Sequence, residues 1–131
     1  MAGMIVLDAG VLIAHLDPND AHHDSAKSFL ESHVSHSFAM SALTIAECLV
    51  RPSMAGAAAR VEATVDLLQV GRVSLNGSDS AALAQVRADT ALRMPDAVVL
   101  FTAESHGAEL ATTDAALHRA AHSRGVSAHL V

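Results

Sequence analysis

The chain has 131 residues, 51% of them apolar, a single cysteine and a net charge of −6 with histidines neutral. That length is most simply one domain, able to bury a core without disulfides or structural metal. The charge excludes a domain that grips nucleic acid through bulk positive charge, while leaving room for an enzyme with a local basic rim. The apolar runs fall short of the roughly 18 to 20 residues that span a bilayer, and no basic segment precedes a cleavable apolar stretch. The sequence therefore reads as soluble, cytoplasmic and without membrane contact.

In chain order, Met4-Ile5-Val6-Leu7 is a first strand, and Asp8 stands at its carboxyl end, just before a helix over 10–16. Pro18-Asn19-Asp20 turns the chain into a helix over 22–33, and Phe38-Ala39-Met40 is a second strand. Ser41 is a candidate N-cap for a helix over 42–51, which Arg51-Pro52-Ser53 should end. A helix over 56–69 leads to Gly71 and the strand-like Arg72-Val73-Ser74-Leu75. Asp79 is a candidate N-cap for a helix over 79–92, and Pro95 suits the first turn of a helix over 95–106. Gly107 then precedes a strand ending at Thr112, a helix follows over 114–123, and Gly125 precedes Val126-Ser127-Ala128-His129-Leu130. Gly71, Gly107 and Gly125 each follow a helical stretch, where a left-handed C-terminal residue is expected. Strands alternating with helices imply an α/β fold: an α/β/α sandwich around a mostly parallel sheet of about five strands.

Four carboxylates adjoin apolar runs, where an isolated charge is costly to bury unless paired, protonated or metal-bound. Asp8 reads equally as an N-cap or as a ligand at the carboxyl edge of a parallel sheet. Asp96 sits in a first helical turn, where the dipole favours its ionised form. Asp114 follows Ala111-Thr112-Thr113 and opens the last helix, so capping explains it locally, while Thr112 and Thr113 are each able to hold a water or a phosphate oxygen. Glu47 lies in Ser41-Ala42-Leu43-Thr44-Ile45-Ala46-Glu47-Cys48-Leu49-Val50, a helix with little polar surface, and shares a face with Thr44. Three of these acids can fall at one sheet edge, with the fourth on a helix facing it. Two unit charges about 4 Å apart repel by roughly 4 kcal/mol at an effective dielectric of 20. A cation relieves that repulsion, and an oxygen-only donor set suits Mg²⁺ or Mn²⁺. Such a site can hydrolyse a phosphodiester. Cys48 reads as a small buried hydrophobe, and the nine histidines lack the spacing of a zinc site.

A hydrophobic strand ending in Asp8, then Ser41-x-x-Thr44-x-x-Glu47, Met94-Pro95-Asp96-Ala97 and Gly107-Ala108-Glu109-Leu110-Ala111-Thr112-Thr113-Asp114, together resemble a PIN domain, specifically a VapC-type toxin ribonuclease. The resemblance implies a catalytic set of Asp8, Glu47, Asp96, Asp114 and the hydroxyl of Thr112. It implies Mg²⁺ or Mn²⁺ on the four acids, with Asp8 and Asp96 as direct ligands and Glu47 and Asp114 on a second ion or acting through water. It also implies an RNA substrate, a cognate antitoxin and a homodimer, with both protein contacts expected on the apolar helices between residues 22 and 70. Ala9-Gly10 departs from the pattern, since many relatives carry hydroxyl or amide side chains there. Arg93 and Arg119 flank the acids in sequence and are candidates for substrate phosphate. Two other readings stay open: a receiver-like module phosphorylated on aspartate, for which Lys27 is the only lysine, and a PIN-like scaffold that binds RNA without cutting it.

Overall fold

The computed structural model describes residues 2–131. Its elements are β1 (Met4–Leu7), α1 (Ala9–Leu16), α2 (His23–Ser32), β2 (Ser37–Ser41), α3 (Ala42–Met54), α4 (Ala58–Leu67), β3 (Gly71–Val73), a 3₁₀ turn at Gly77–Asp79, α5 (Ser80–Thr90), α6 (Met94–Ser105), β4 (Glu109–Thr112), α7 (Ala115–Ser123) and β5 (Ala128–Leu130). All four strand pairings are parallel, in the order β3-β2-β1-β4-β5.

Side chains alternate across a strand, and β1 shows what that does here. Ile5 and Leu7 join Val11, Leu12, Met40, Ile45 and Val65 in a core on the side of α1 to α4. Val6 faces the other way, into a second core with Val86, Val99, Leu100, Leu110 and Leu117 on the side of α5 to α7. Ile5, Leu7 and Leu110 are fully buried, as expected of a parallel sheet covered on both faces. None of the described helices is long and apolar enough to cross a membrane.

The strand order has a functional consequence. After β1 the chain builds outward through β2 and β3, then returns to place β4 on the opposite side of β1. The order thus reverses between β1 and β4, and in open parallel sheets the crevice outside the carboxyl ends at such a reversal is where ligands bind. Asp8 continues the pairing there, its N–H donating to the Ala111 carbonyl at 2.9 Å.

Several local expectations need correction. The helix α3 runs through Pro52 to Met54. Proline forfeits one backbone bond there, a tolerable loss in a last turn that the Ala55 N–H closes onto the carbonyls of Arg51, Pro52 and Ser53. Gly107 and Gly125 do take positive φ, at 58° and 77°, but Gly71 does not. Because α4 stops at Leu67, the reversal falls on Gln69, with φ 54°, and Gly71 is already in β3. Asp79 caps nothing in α5 by its side chain; its Oδ2 accepts from the Asn76 N–H at 2.9 Å, in a capping box around the 3₁₀ turn.

Candidate active site

Asp8 leaves β1 in extended conformation and caps α1, its Oδ1 accepting from the Ala9 N–H at 2.8 Å. Its Oδ2 accepts from the Thr112 hydroxyl at 2.7 Å. Thr112 is fully buried at the end of β4, and its hydroxyl oxygen also accepts from the Asp114 N–H at 3.0 Å. One hydroxyl thus ties together the two strand ends and orients both acids. Asp114 in turn caps α7, with Oδ1 accepting from the N–H groups of Ala116 at 2.7 Å and Leu117 at 3.4 Å. The capping readings of Asp8 and Asp114 are therefore realised. They account for Asp8 Oδ1 and Asp114 Oδ1, while Asp8 Oδ2 takes the Thr112 hydroxyl and no hydrogen bond among the described residues engages Asp114 Oδ2.

Asp96 lies in the first turn of α6, after the N-cap Arg93 and with Pro95 beside it. The helix α6 packs across β1 and β2 and against α3, and Asp96 lies near enough to Asp8 and Glu47 that the charge of Asp8 is felt at Asp96 and that of Asp96 at Glu47. Glu47 is exposed, on the outer rim of the group. Thr44 does not converge with it: that side chain is buried, and its hydroxyl pairs with Ser41 Oγ at 3.0 Å, while Ser41 Oγ accepts from the Thr44 N–H at 3.1 Å. The shared face inferred from spacing is overridden by the N-cap, which pulls Thr44 inward.

The electrostatics link all four acids. Burial pushes the Asp8 carboxyl above the usual carboxylate range, and the charge of Asp114 adds to this against the bonds from Thr112 and Ala9. Partial burial raises Asp96, with Asp8 and Asp114 reinforcing the shift and Arg93 opposing it. Partial desolvation raises Glu47, followed by the charges of Asp8 and Asp96. Beneath them, burial and then the charges of Glu47 and Asp8 push the Cys48 thiol up to about 12, so it serves as a packed apolar group and not as a nucleophile. Asp8, Glu47 and Asp96 are thus each harder to ionise than a free carboxyl, because the charge of a neighbouring carboxylate adds to the effect of burial.

Does this donor set fit a divalent cation? All its donors are oxygens, the acids are electrostatically coupled, and the one cationic side chain felt among them is Arg93, at Asp96. As the side chains stand, no three His, Cys, Asp or Glu among the described residues close around a single ion position. Mg²⁺ is commonly held by one or two carboxylates with waters in the remaining positions, which such an open set can provide. The chemistry of the residues fits.

The basic candidates separate. Arg93 adjoins Asp96, whereas Arg119 is exposed on α7 and lines a shallow groove of about 450 Å³ with Thr90, Leu92 and Ser123. A cavity of about 500 Å³ lies elsewhere, lined by His15, Glu31, His36, Phe38 and Gln69, and none of the four acids borders it. Lys27 is exposed on α2, where its charge is felt at His15 and not at the acids.

Removal of the Thr112 hydroxyl tests the tie between the strand ends. Thr112→Val should cost about 1–3 kcal/mol, because the Asp8 carboxylate and the Asp114 N–H each lose a buried partner. Chemical denaturation of the variant beside wild type measures it; a loss confined to a few tenths of a kcal/mol would show the tie to be unimportant.

The model of the PIN domain matches residues 5–123. A toxin–antitoxin complex from Klebsiella pneumoniae superposes with a TM-score of 0.71 at 24% identity, covering 84% of this chain and 86% of that one. FitAcB from Neisseria gonorrhoeae gives 0.74 at 21% identity, over 95% and 96%. Mycobacterium tuberculosis VapC20, a sarcin–ricin loop cleaving toxin, gives 0.74 at 18% identity, over 97% and 98%. No protein of curated function matches the sequence. At these identities the structural likeness is one of fold.

Proposed function

Because the chain belongs to the PIN domain family, we propose that it is a metal-dependent endoribonuclease and the toxin of a toxin–antitoxin pair. The observation that carries the reading is the gathering of carboxylates at the carboxyl edge where the sheet order reverses, with Asp8 and Asp114 tied to the ends of β1 and β4 through the Thr112 hydroxyl and the charge of Asp8 felt at both Asp96 and Glu47. In this reading Asp8 and Asp96 hold Mg²⁺ or Mn²⁺ directly, while Glu47 and Asp114 hold a second ion or act through water. A divalent cation in such a place lowers the pKa of a water and stabilises charge on a phosphate.

The protein's own groups do the rest. Thr112 and the Ala9 N–H fix the Asp8 carboxylate in one orientation. Arg93 offers a phosphate contact beside Asp96, and Arg119 offers one farther along α7. With no Trp or Tyr in the chain, recognition rests on RNA shape and backbone more than on stacked bases. The receiver-like alternative loses support, since its lysine stands by His15 and away from the acids.

The antitoxin and a second copy of the chain are the proposed protein partners. Toxin–antitoxin complexes are among the structures of similar fold. Ile13 on α1 and Leu43, Val50 and Met54 on α3 are exposed apolar side chains of the kind that an amphipathic partner helix covers. A small adjacent reading frame with a DNA-binding amino terminus would support the assignment.

Purified protein, free of any antitoxin, is expected to cut structured RNA in Mg²⁺ or Mn²⁺ and to stop on addition of chelator. RNA bound without cleavage, at any metal concentration, would favour the scaffold reading; phosphorylation of Asp8 by a small phosphodonor would revive the receiver.

A further inference from the structure

A side chain is missing beside the carboxylates, and a different residue stands in its place. Gly10 is in the first turn of α1, two residues after Asp8. A β-carbon at Gly10 would lie 2.7 Å from Thr113 Oγ1, closer than such contacts occur in proteins. The next atom it would meet, Thr113 Cβ, is 3.9 Å away. The hydroxyl of Thr113 is therefore the group that a side chain at position 10 would run into.

Thr113 lies between Thr112, whose hydroxyl bonds both Asp8 and the Asp114 backbone, and Asp114 itself. The Thr112 hydroxyl is thereby committed within the protein. No comparable bond engages Thr113 Oγ1 among the described residues, and the side chain is half-buried, so its proton stays available beside the first turn of α1.

We propose that Thr113 is a positioning residue of the active site. Its hydroxyl holds a water or phosphate oxygen at the carboxylate edge, from the β4 side, where Ala9-Gly10 supplies no polar side chain from the α1 side. Gly10 is what makes this possible, because any larger residue would turn the hydroxyl away. The inference rests on the nuclease reading above and adds to its four acids and Thr112 a sixth polar group.

The test uses the full chain and two readouts: Mn²⁺ affinity by titration calorimetry without RNA, and KM and kcat for RNA cleavage. Thr113→Val, which keeps the shape and removes the hydroxyl, should weaken Mn²⁺ binding about tenfold if the partner is a water of the site. It should instead raise KM with Mn²⁺ affinity unchanged if the partner is an RNA phosphate. Thr113→Ser should restore the wild-type value in either case, which a packing role of the methyl group would not allow. Gly10→Ala, a change that helices favour, should reproduce the Thr113→Val defect by displacing the hydroxyl, and the double variant should be no worse than either single one. Wild-type Mn²⁺ binding and cleavage with both readouts unmoved in Thr113→Val would overturn this proposal alone. A wild-type protein that neither binds Mn²⁺ nor cuts RNA would overturn the nuclease reading and this inference with it.

Discussion

Asp96→Asn should abolish most RNA cleavage while leaving the metal-free protein as stable as wild type or more so. The loss in kcat/KM is expected to be about a thousandfold, equivalent to roughly 4 kcal/mol of transition-state stabilisation. The opposite sign in stability follows from the setting of Asp96. Its ionised form is disfavoured by partial burial and by the charges of Asp8 and Asp114, against a smaller opposing effect of Arg93. An amide of the same shape carries no charge to desolvate or repel. It gives up the interaction of a carboxylate with the first turn of α6, worth about 0.3–1 kcal/mol in an exposed helix. Cleavage assays and melting of the metal-stripped protein, run on the same preparation, separate the two effects. A variant that is inactive because it melts at lower temperature than wild type would make Asp96 a structural residue. Equal cleavage by the variant would remove it from the site.

The parts of this site differ in how far they were legible beforehand, for physical reasons. Asp8 and Asp114 could be placed because each ends a short apolar run, and a strand's end is marked by where its alternation stops. Asp96 could be placed because Pro95 announces a first turn. Glu47 was the acid least explained by its own helix, yet it is the exposed one, and its link to the others arises from the packing of α3 against α6. That contact joins segments distant in sequence, and no local pattern encodes it. Thr44 illustrates the reverse error: helical spacing put it beside Glu47, but a hydrogen bond to its own N-cap residue directs it into the core. Gly71 shows a similar competition. A glycine after a helix suggests a left-handed turn, and here the helix ended early enough for Gln69 to make that turn instead. The space shared by Gly10 and Thr113 was the least accessible of all, since Gly10 reads only as a missing side chain until the neighbouring loop is in view.

Added Mn²⁺ should stabilise the protein more at neutral pH than at pH 4, with the metal-free protein showing the inverse trend in its site acids. Asp8, Glu47 and Asp96 all have carboxyls raised above their unfolded values, which are 3.8 for Asp and 4.5 for Glu. Between the unfolded and the raised folded pKa the native state binds more protons than the unfolded state, so stability falls as pH rises through that window. What these three groups contribute is complete below the unfolded values and is lost once the folded carboxyls have ionised. Two other groups act with the opposite sign. Asp89, lowered chiefly by its hydrogen bonds to Gln85 and Arg124, loses its contribution as pH falls below 3.8, beneath the window in question. His15, lowered by burial and then by His23, gives stability that rises with pH toward 6.5 and overlaps the upper part of that range. The comparison of wild type with Asp96→Asn cancels both, because neither group is among the causes of the Asp96 shift. The variant's advantage in melting temperature, without metal, should therefore grow as pH rises from 4 to 7. Mn²⁺ competes with protons for the same oxygens and should reverse that ranking. At a hundredfold excess over Kd it stabilises wild type by about 2.7 kcal/mol, or roughly 10 °C in a domain of this size. The variant, lacking one of the ligands, should respond less. A wild-type melting temperature that ignores Mn²⁺ at pH 7, or a gap between the two proteins that does not change with pH, would mean that the acids at the strand ends do not act as one site.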